Sequence, residues 1–261
     1  MLLSEEFIRE GKWLFRWRSY LPLAMLAIVL LGFRGFAYPM GSHSYDLAWE
    51  MACLAVSLFG MSIRCYTIGC TPKGTSGRNT KRQVADALNI TGMYSITRNP
   101  LYFGNFFMAL GISMLPRLWW CSLIYVLAFF LYYERIIMTE ENYLANKFGR
   151  EYEDYATRTP AFLLNLKLWQ PAALPFSTRS VLRGEYSGFF GVITAFTVLE
   201  LIGTYVAEGR VFFDPVWEVL FLVGFLVYMT LRTLKKKTRL LHVEGRQLEA
   251  PRESGVQRSA G

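Results

Sequence analysis

Two stretches of the chain hold most of the polar residues whose types could do chemistry. They read TGMYSITRNPLYFGN at 91–105 and YYERIIMTEENYLANKFGREYEDYATRTPAF at 132–162. Both flank a pair of closely spaced apolar spans, so we expect them to be neighbours at one mouth of a helical hairpin. Their side chains are therefore the first candidates for a functional site.

The first stretch has the features of a helix N-terminus that can bind an anion. Pro100 suits the first position of a helix and Asn99 suits the N-cap before it. Such a helix begins with unpaired backbone N–H groups and a positive dipole end, and Arg98 adds a full charge beside them. A carboxylate or a phosphate would fit there. The alternative is that Asn99 and Pro100 only start a helix and that Arg98 only anchors to lipid headgroups.

The second stretch places carboxylates before an apolar stripe. Glu134 closes the fourth apolar span, and Glu140 and Glu141 are predicted to begin an amphipathic helix. An apolar face near the membrane surface is indicated by residues that recur at helical spacing, namely Leu144, Phe148, Tyr152 and Tyr155. The alternative is that the adjacent glutamates are only charges that suit the start of a helix.

The composition is that of a membrane protein. Hydrophobic residues make up 53% of the chain, charged residues make up 18%, and the net charge is +8. The basic residues lie beside the apolar spans, where anionic headgroups would be, and this position argues against nucleic-acid binding. The two histidines, His43 and His242, fall in a loop and a tail, and the four cysteines form no C-x-x-C pair. We therefore expect no metal site.

Six apolar spans predict an all-α, polytopic membrane protein, because a spanning helix needs roughly 20 apolar residues. Leu115-Pro116-Arg117 alone separates the third and fourth spans, which predicts a tight helical hairpin with a short first helix. Gly104 and Gly111 share one face of that helix and allow close packing, and Asn105 requires a polar partner. The spans are predicted at 20–38, 47–67, 101–116, 118–137, 187–207 and 213–234.

The positions of lysine and arginine predict the orientation. Of the 28 basic residues, four precede the first span, six lie in 64–100, six in 138–185 and eight after 231. A six-span arrangement puts all of these segments, both termini and the amphipathic helix in the cytoplasm.

The ordered motifs resemble those of a known family. The run G-x-Y-x-x-x-R-N-P-x-Y-x-G, from Gly92 to Gly104, resembles the G-x-Y-x-x-x-R-H-P-x-Y-x-G signature of the isoprenylcysteine carboxyl methyltransferase and phospholipid methyltransferase superfamily. E-E-x-x-L and F-G-x-x-Y-x-x-Y follow at 140–144 and 148–155, and then come Arg158 and Pro160. The looser likeness extends from about residue 47 to 165.

The resemblance implies a membrane methyltransferase that uses S-adenosylmethionine and a lipid or lipidated acceptor from the bilayer. It places Glu140 and Glu141 at the polar groups of the cofactor, and Arg158 and Tyr152 near the acceptor. Helical spacing favours Glu141 as the catalytic glutamate, because Phe148 and Tyr152 continue its side of the apolar stripe. The residues that it assigns to the cofactor pocket are Gly92, Tyr94, Arg98, Asn99, Pro100, Tyr102, Glu140 and Glu141.

One departure from the family concerns Asn99, where the family usually has histidine. Asparagine keeps a hydrogen-bonding side chain but cannot titrate or stack like imidazole, so a role that needs the ring is in doubt.

The same reading divides the chain into four parts. N-terminal membrane helices fill 1–70, a methyltransferase core fills 71–170, a C-terminal hairpin outside the shared core fills 171–234, and a basic tail fills 235–261.

The sequence also allows two other functions. An NADPH-dependent membrane reductase of the sterol-reductase type has a K-x-G-x-x-W-x-x-Y run, but here Tyr152 follows Lys147-Phe148-Gly149. A membrane scaffold without catalysis is the other.

The chemistry of the acceptor determines whether a general base is needed. A carboxylate or thiolate acceptor needs none, whereas an amine does. The lack of an obvious histidine base favours an anionic acceptor, although Glu141 could accept a proton.

Overall fold

The protein is a bundle of α-helices that run up and down. The computed structural model describes residues 3–17, 21–72, 85–243 and 246, and these residues contain helices and connections but no β-strand. The all-α prediction is therefore confirmed. The helices are α1 (Leu3–Trp17), α2 (Leu21–Gly32), α3 (His43–Cys70), α4 (Met93–Ile96), α5 (Pro100–Met114), α6 (Trp119–Phe148), α7 (Arg150–Arg158), α8 (Thr178–Glu208) and α9 (Pro215–Lys237).

In the described part of the chain, four helices are long and apolar enough to cross a membrane. They are α3, α6, α8 and α9, and they correspond to four of the six predicted spans. Helix α5 has 15 residues, or about 22 Å at 1.5 Å per residue, which is less than the hydrocarbon layer of about 30 Å. The predicted shortness of the third span is confirmed. The first predicted span contains α2, which has 12 residues.

Helix α5 packs closely on α3 because small residues line the contact. A Cβ on Gly111 would clash with the backbone of Cys53 and with Ser57, and a Cβ on Gly60 would clash with the carbonyl of Gly104. Ser57 uses the proximity to donate to the carbonyl of Met108 at 2.8 Å. The packing role predicted for Gly104 and Gly111 is confirmed.

The predicted hairpin between α5 and α6 is present, with a connection at 115–118. Arg117 has a φ of +59° in this turn, and its guanidinium forms an ion pair with Asp46 at the start of α3. The guanidinium also donates to the carbonyl of Ala37 at 2.6 Å. The hairpin is therefore anchored at the end of the bundle away from residues 91–105.

Helix α6 differs from the expectation, because it continues without a break through Glu134 and both glutamates to Phe148. Its 30 residues reach roughly 45 Å, so its last third extends beyond a hydrocarbon layer of about 30 Å. Glu140 and Glu141 are thus interior helix residues and do not begin a helix. Gly149, with a φ of +56°, separates α6 from α7. The predicted apolar stripe is therefore divided between two helices.

The N-terminal and C-terminal helices complete the bundle. Helix α1 packs on the last third of α6, where Thr139 donates to the carbonyl of Ile8 at 3.2 Å. Helices α8 and α9 form a hairpin held by stacking of Phe196 on Trp217, with ring centroids 5.5 Å apart. Helix α9 ends at Lys237, so it continues three residues into the segment predicted as tail, and most of the remaining tail lies outside the described residues.

Candidate active site

The two polar stretches meet at one end of the bundle, as predicted. The backbone N–H of Arg98 donates to the carbonyl of Pro160 at 2.9 Å, and the side chain of Thr97 donates to the carbonyl of Phe162 at 3.1 Å. The segment that precedes α5 is therefore tied directly to the segment that follows α7.

Pro100 occupies the first turn of α5, as predicted, and Asn99 occupies the N-cap position. The side chain of Asn99 does not cap the helix, however, since its Nδ2 donates to the carbonyl of Ala161 at 2.9 Å. The predicted N-cap position of Asn99 is confirmed, while its amide has a long-range partner that a local motif cannot indicate. Asn99 instead helps to join the two stretches.

Arg98 and Glu141 form the centre of the site. Nε of Arg98 lies 3.2 Å from Oε1 of Glu141, and the two side chains are 15% and 26% exposed. These two atoms are buried and attract each other as charges, yet neither has a hydrogen-bond partner among the residues that the structure describes. The hydroxyl of Tyr152 on α7 is within hydrogen-bonding reach of both side chains. Sequence reasoning placed these three residues at the site, and the structure brings them together.

Glu140 has a different partner from its neighbour. The hydroxyl of Tyr102 on α5 donates to Oε1 of Glu140 at 2.9 Å, and the Tyr102 ring packs on Tyr133, with centroids 4.7 Å apart. Consecutive helical residues point about 100° apart. Glu140 therefore meets Tyr102 on α5, while Glu141 meets Arg98 just before α5. Two carboxylates and one guanidinium thus line the mouth between α5 and α6.

Tyr94 and Gly92 lie beside this mouth in the connection before α5. The hydroxyl of Tyr155 on α7 donates to the carbonyl of Tyr94 at 2.7 Å. Gly92 has a φ of +61°, a conformation that favours glycine, and its N–H donates to the carbonyl of Gln170 at 3.0 Å. The connection is therefore held in place from two sides.

Three tyrosines of the site remain neutral at physiological pH. Burial raises the pKa of Tyr152 well above its ordinary value, and the charge of Glu141 raises it further. Burial likewise raises the pKa of Tyr94 and of Tyr155. Each phenol is thus a donor or acceptor of hydrogen bonds and not an anion.

Arg158 is the predicted site residue that the structure does not bring to the cluster. It lies exposed in the last turn of α7, and its Nε donates to the carbonyl of Asp154 at 3.0 Å. Helical spacing separates Arg158 from Tyr152 by about 120° around α7.

Sequence reasoning missed two charged residues next to the site, Arg64 on α3 and Glu185 on α8. Arg64 is the partner that Asn105 was predicted to require, with Nη1 2.7 Å from Oδ1 of Asn105. A charge near the end of an apolar span was the available signal. In the sequence, Arg64 contributes only to the excess of basic residues that predicts the orientation.

Comparisons with known proteins identify the segment that carries this site. The family model described as phospholipid methyltransferase matches residues 51–151. The nickel-cobalt-cadmium resistance protein NccN of Alcaligenes xylosoxydans xylosoxydans is 30% identical over 155 residues, or 59% of this chain and 65% of that protein. The cobalt-zinc-cadmium resistance protein CzcN of Cupriavidus metallidurans is 38% identical over 131 residues, or 50% of this chain and 58% of that protein.

A fungal enzyme is also similar. Protein-S-isoprenylcysteine O-methyltransferase of Schizosaccharomyces pombe is 35% identical over 82 residues, or 31% of this chain and 35% of that protein. The matches cover less than two thirds of the length of each of these three relatives. No solved structure matches this chain.

The signature around Arg98, the helical hairpin and the glutamate pair all fall within the matched segment. With the fungal relative, these features confirm the resemblance drawn from the motifs. Residues 51–151 thus carry a segment that matches the phospholipid methyltransferase family, and the chain is similar to fungal isoprenylcysteine O-methyltransferases.

Proposed function

We propose that the protein is a methyltransferase that uses S-adenosylmethionine and acts on a lipidic or prenylated acceptor within the membrane. The observation that carries the proposal is the Arg98–Glu141 pair, whose buried facing atoms lie 3.2 Å apart without a hydrogen bond. Polar atoms buried without such bonds are costly. A charged ligand that inserts at the pair would give both atoms partners.

The charges at the mouth fit this cofactor. S-adenosylmethionine carries a carboxylate, an ammonium group and a positively charged sulfur. Arg98 can hold the carboxylate, while Glu140 and Glu141 can hold the ammonium group and favour the overall positive charge. We assign the rest of the pocket to Gly92, Tyr94, Asn99, Pro100 and Tyr102, with Asn99 and Pro100 acting through the backbone that they fix.

The bound cofactor would supply an electrophilic methyl group on its sulfur. The residues of the chain then have to align the acceptor with that methyl group and exclude water. The neutral tyrosines and the apolar helices around the mouth suit this task. A carboxylate or thiolate acceptor requires no proton transfer, and Glu141 is the candidate base for an amine.

A lipidic acceptor is favoured by where the site lies. The mouth is formed by α5 and by the last third of α6, a helix long and apolar enough to cross the membrane. A hydrophobic acceptor could therefore reach the site from the bilayer. The fungal relative that is named for isoprenylcysteine methylation gives independent support for a prenylated carboxylate.

We also propose that the site and both termini face the cytoplasm. The support is the excess of lysine and arginine in the N-terminal segment, in 64–100, in 138–185 and after 231.

Ligand binding to the protein purified in detergent tests the proposal. Isothermal titration calorimetry with S-adenosylhomocysteine, the demethylated product, should give a saturable isotherm, and NADPH at the same concentration should give none. Binding of NADPH alone would support a reductase instead. Binding of neither ligand by folded protein would support a scaffold, and either result would overturn the proposal.

A further inference from the structure

A charged pair joins the C-terminal hairpin to the rest of the bundle. Nε of Arg64 on α3 lies 2.9 Å from Oε2 of Glu185 on α8, and Nη2 lies 2.8 Å from Oε1. The side chains are 18% and 5% exposed. Two parallel hydrogen bonds between a guanidinium and a carboxylate fix both position and orientation.

The same guanidinium reaches the first turns of α5. Its Nη1 donates to Oδ1 of Asn105 at 2.7 Å and approaches the carbonyl of Leu101 at 3.5 Å. Gly104 makes this approach possible, because a Cβ there would lie 2.6 Å from Cγ of Arg64. Glu185 therefore holds an arginine that in turn holds the beginning of α5.

The beginning of α5 is also a wall of the candidate active site. Leu101 precedes Tyr102, whose hydroxyl donates to Glu140 at 2.9 Å. Tyr94 lies close enough to Glu140 and Arg64 for both charges to affect the pKa of its hydroxyl. Burial is the main cause of its raised pKa, the charge of Glu140 raises it further, and the charge of Arg64 lowers it.

We propose that Glu185 is a positioning residue for cofactor binding, which makes the C-terminal hairpin part of the active site. The inference rests on the proposed methyltransferase function and goes beyond it, since α8 lies outside the matched segment 51–151. Glu185 acts through Arg64, which fixes the first turn of α5 and the surroundings of Tyr94.

Loss of the carboxylate charge of Glu185 should weaken cofactor binding. In Glu185→Gln the charge of Arg64 loses its buried counter-ion, and an uncompensated buried charge is strongly unfavourable. The guanidinium should then shift towards the negative mouth, where Glu140 lies. In Arg64→Gln/Glu185→Gln the uncompensated charge is gone, so the second substitution should add little.

The test compares affinities for S-adenosylhomocysteine by calorimetry in detergent. Glu185→Gln should weaken binding about fivefold to tenfold, and Glu185→Asp, which keeps the charge, should restore most of the affinity. The double variant should bind no more weakly than Glu185→Gln. Glu200→Gln is the matched control, because Glu200 is 5% exposed on the same helix and its Oε1 accepts from Thr204 at 2.8 Å. The control should bind like wild type.

A second measurement needs no cofactor. The ¹⁹F resonance of 3-fluorotyrosine incorporated at Tyr94 should shift in Glu185→Gln and stay in place in Glu200→Gln. Wild-type protein that binds no S-adenosylhomocysteine would overturn the proposed function. Wild-type protein that binds it, with unchanged affinity and an unchanged ¹⁹F resonance in Glu185→Gln, would overturn the role of Glu185 alone.

Discussion

Nε of Arg98 lies 3.2 Å from Oε1 of Glu141, and this contact joins the segment just before α5 to the last third of α6. The ion pair is made between the two stretches that hold most of the chemically interesting residues. It also brings opposite charges together at a mouth where Glu140 supplies a second carboxylate.

The two glutamates should contribute unequally to catalysis. Glu141 contacts Arg98 and Tyr152, whereas Glu140 accepts a hydrogen bond from Tyr102. We expect Glu141→Gln to reduce methyl transfer at least about tenfold, which corresponds to roughly 1.4 kcal/mol, and Glu140→Gln to reduce it less. Parallel assays with the same acceptor would measure both. Equal losses would indicate a shared carboxylate site, and a larger loss at Glu140 would reverse the assignment.

Tyr155 should stabilise the connection before α5. Its hydroxyl donates to the carbonyl of Tyr94 at 2.7 Å, and the residue is 6% exposed. Tyr155→Phe leaves that carbonyl without its partner, at a cost of about 1–2 kcal/mol. Thermal unfolding in detergent should show a lower Tm for this variant. Tyr205→Phe, at a residue that is 56% exposed, is the control, and an equal Tm for the two variants would contradict the role of Tyr155.

The orientation prediction can be tested by cysteine labelling with a membrane-impermeant maleimide. Thr75→Cys and His242→Cys should react from the cytoplasmic side. Val211→Cys should react from the opposite side, because residue 211 lies between α8 and α9 and is 66% exposed. Labelling of position 75 or 242 from the outer side would reject the orientation drawn from the basic residues.

Much of the fold was predictable because its cause is local. Apolar length predicted the long helices, Pro100 predicted the start of α5, and three residues between two apolar spans predicted the hairpin. The close packing at Gly111 followed from helical spacing. Each of these features is indicated by residues near one another in the chain.

The structure differs from the sequence predictions where contacts between residues far apart in the chain determine the conformation. The amide of Asn99 donates to the carbonyl of Ala161, and its side chain makes no hydrogen bond to the first turn of α5. Helix α6 continues past Glu134 because it is supported there by contacts with α1, such as that between Arg135 and Glu10 at 2.8 Å. The sequence did not identify Glu185 as a neighbour of the site because its partner, Arg64, lies on a helix far away in the chain.

The affinity of S-adenosylhomocysteine for Arg98→Ala tests the central claim most directly. Truncation removes the guanidinium that faces Glu141 and should weaken binding at least about tenfold, since charge-assisted hydrogen bonds contribute on the order of 1.5–3 kcal/mol. Arg210→Ala is the control, because Arg210 is an exposed residue that pairs with Glu208 between α8 and α9. Calorimetry on the two folded variants should show weak binding for Arg98→Ala and wild-type binding for Arg210→Ala. Wild-type affinity in a folded Arg98→Ala protein would contradict the assignment of the site.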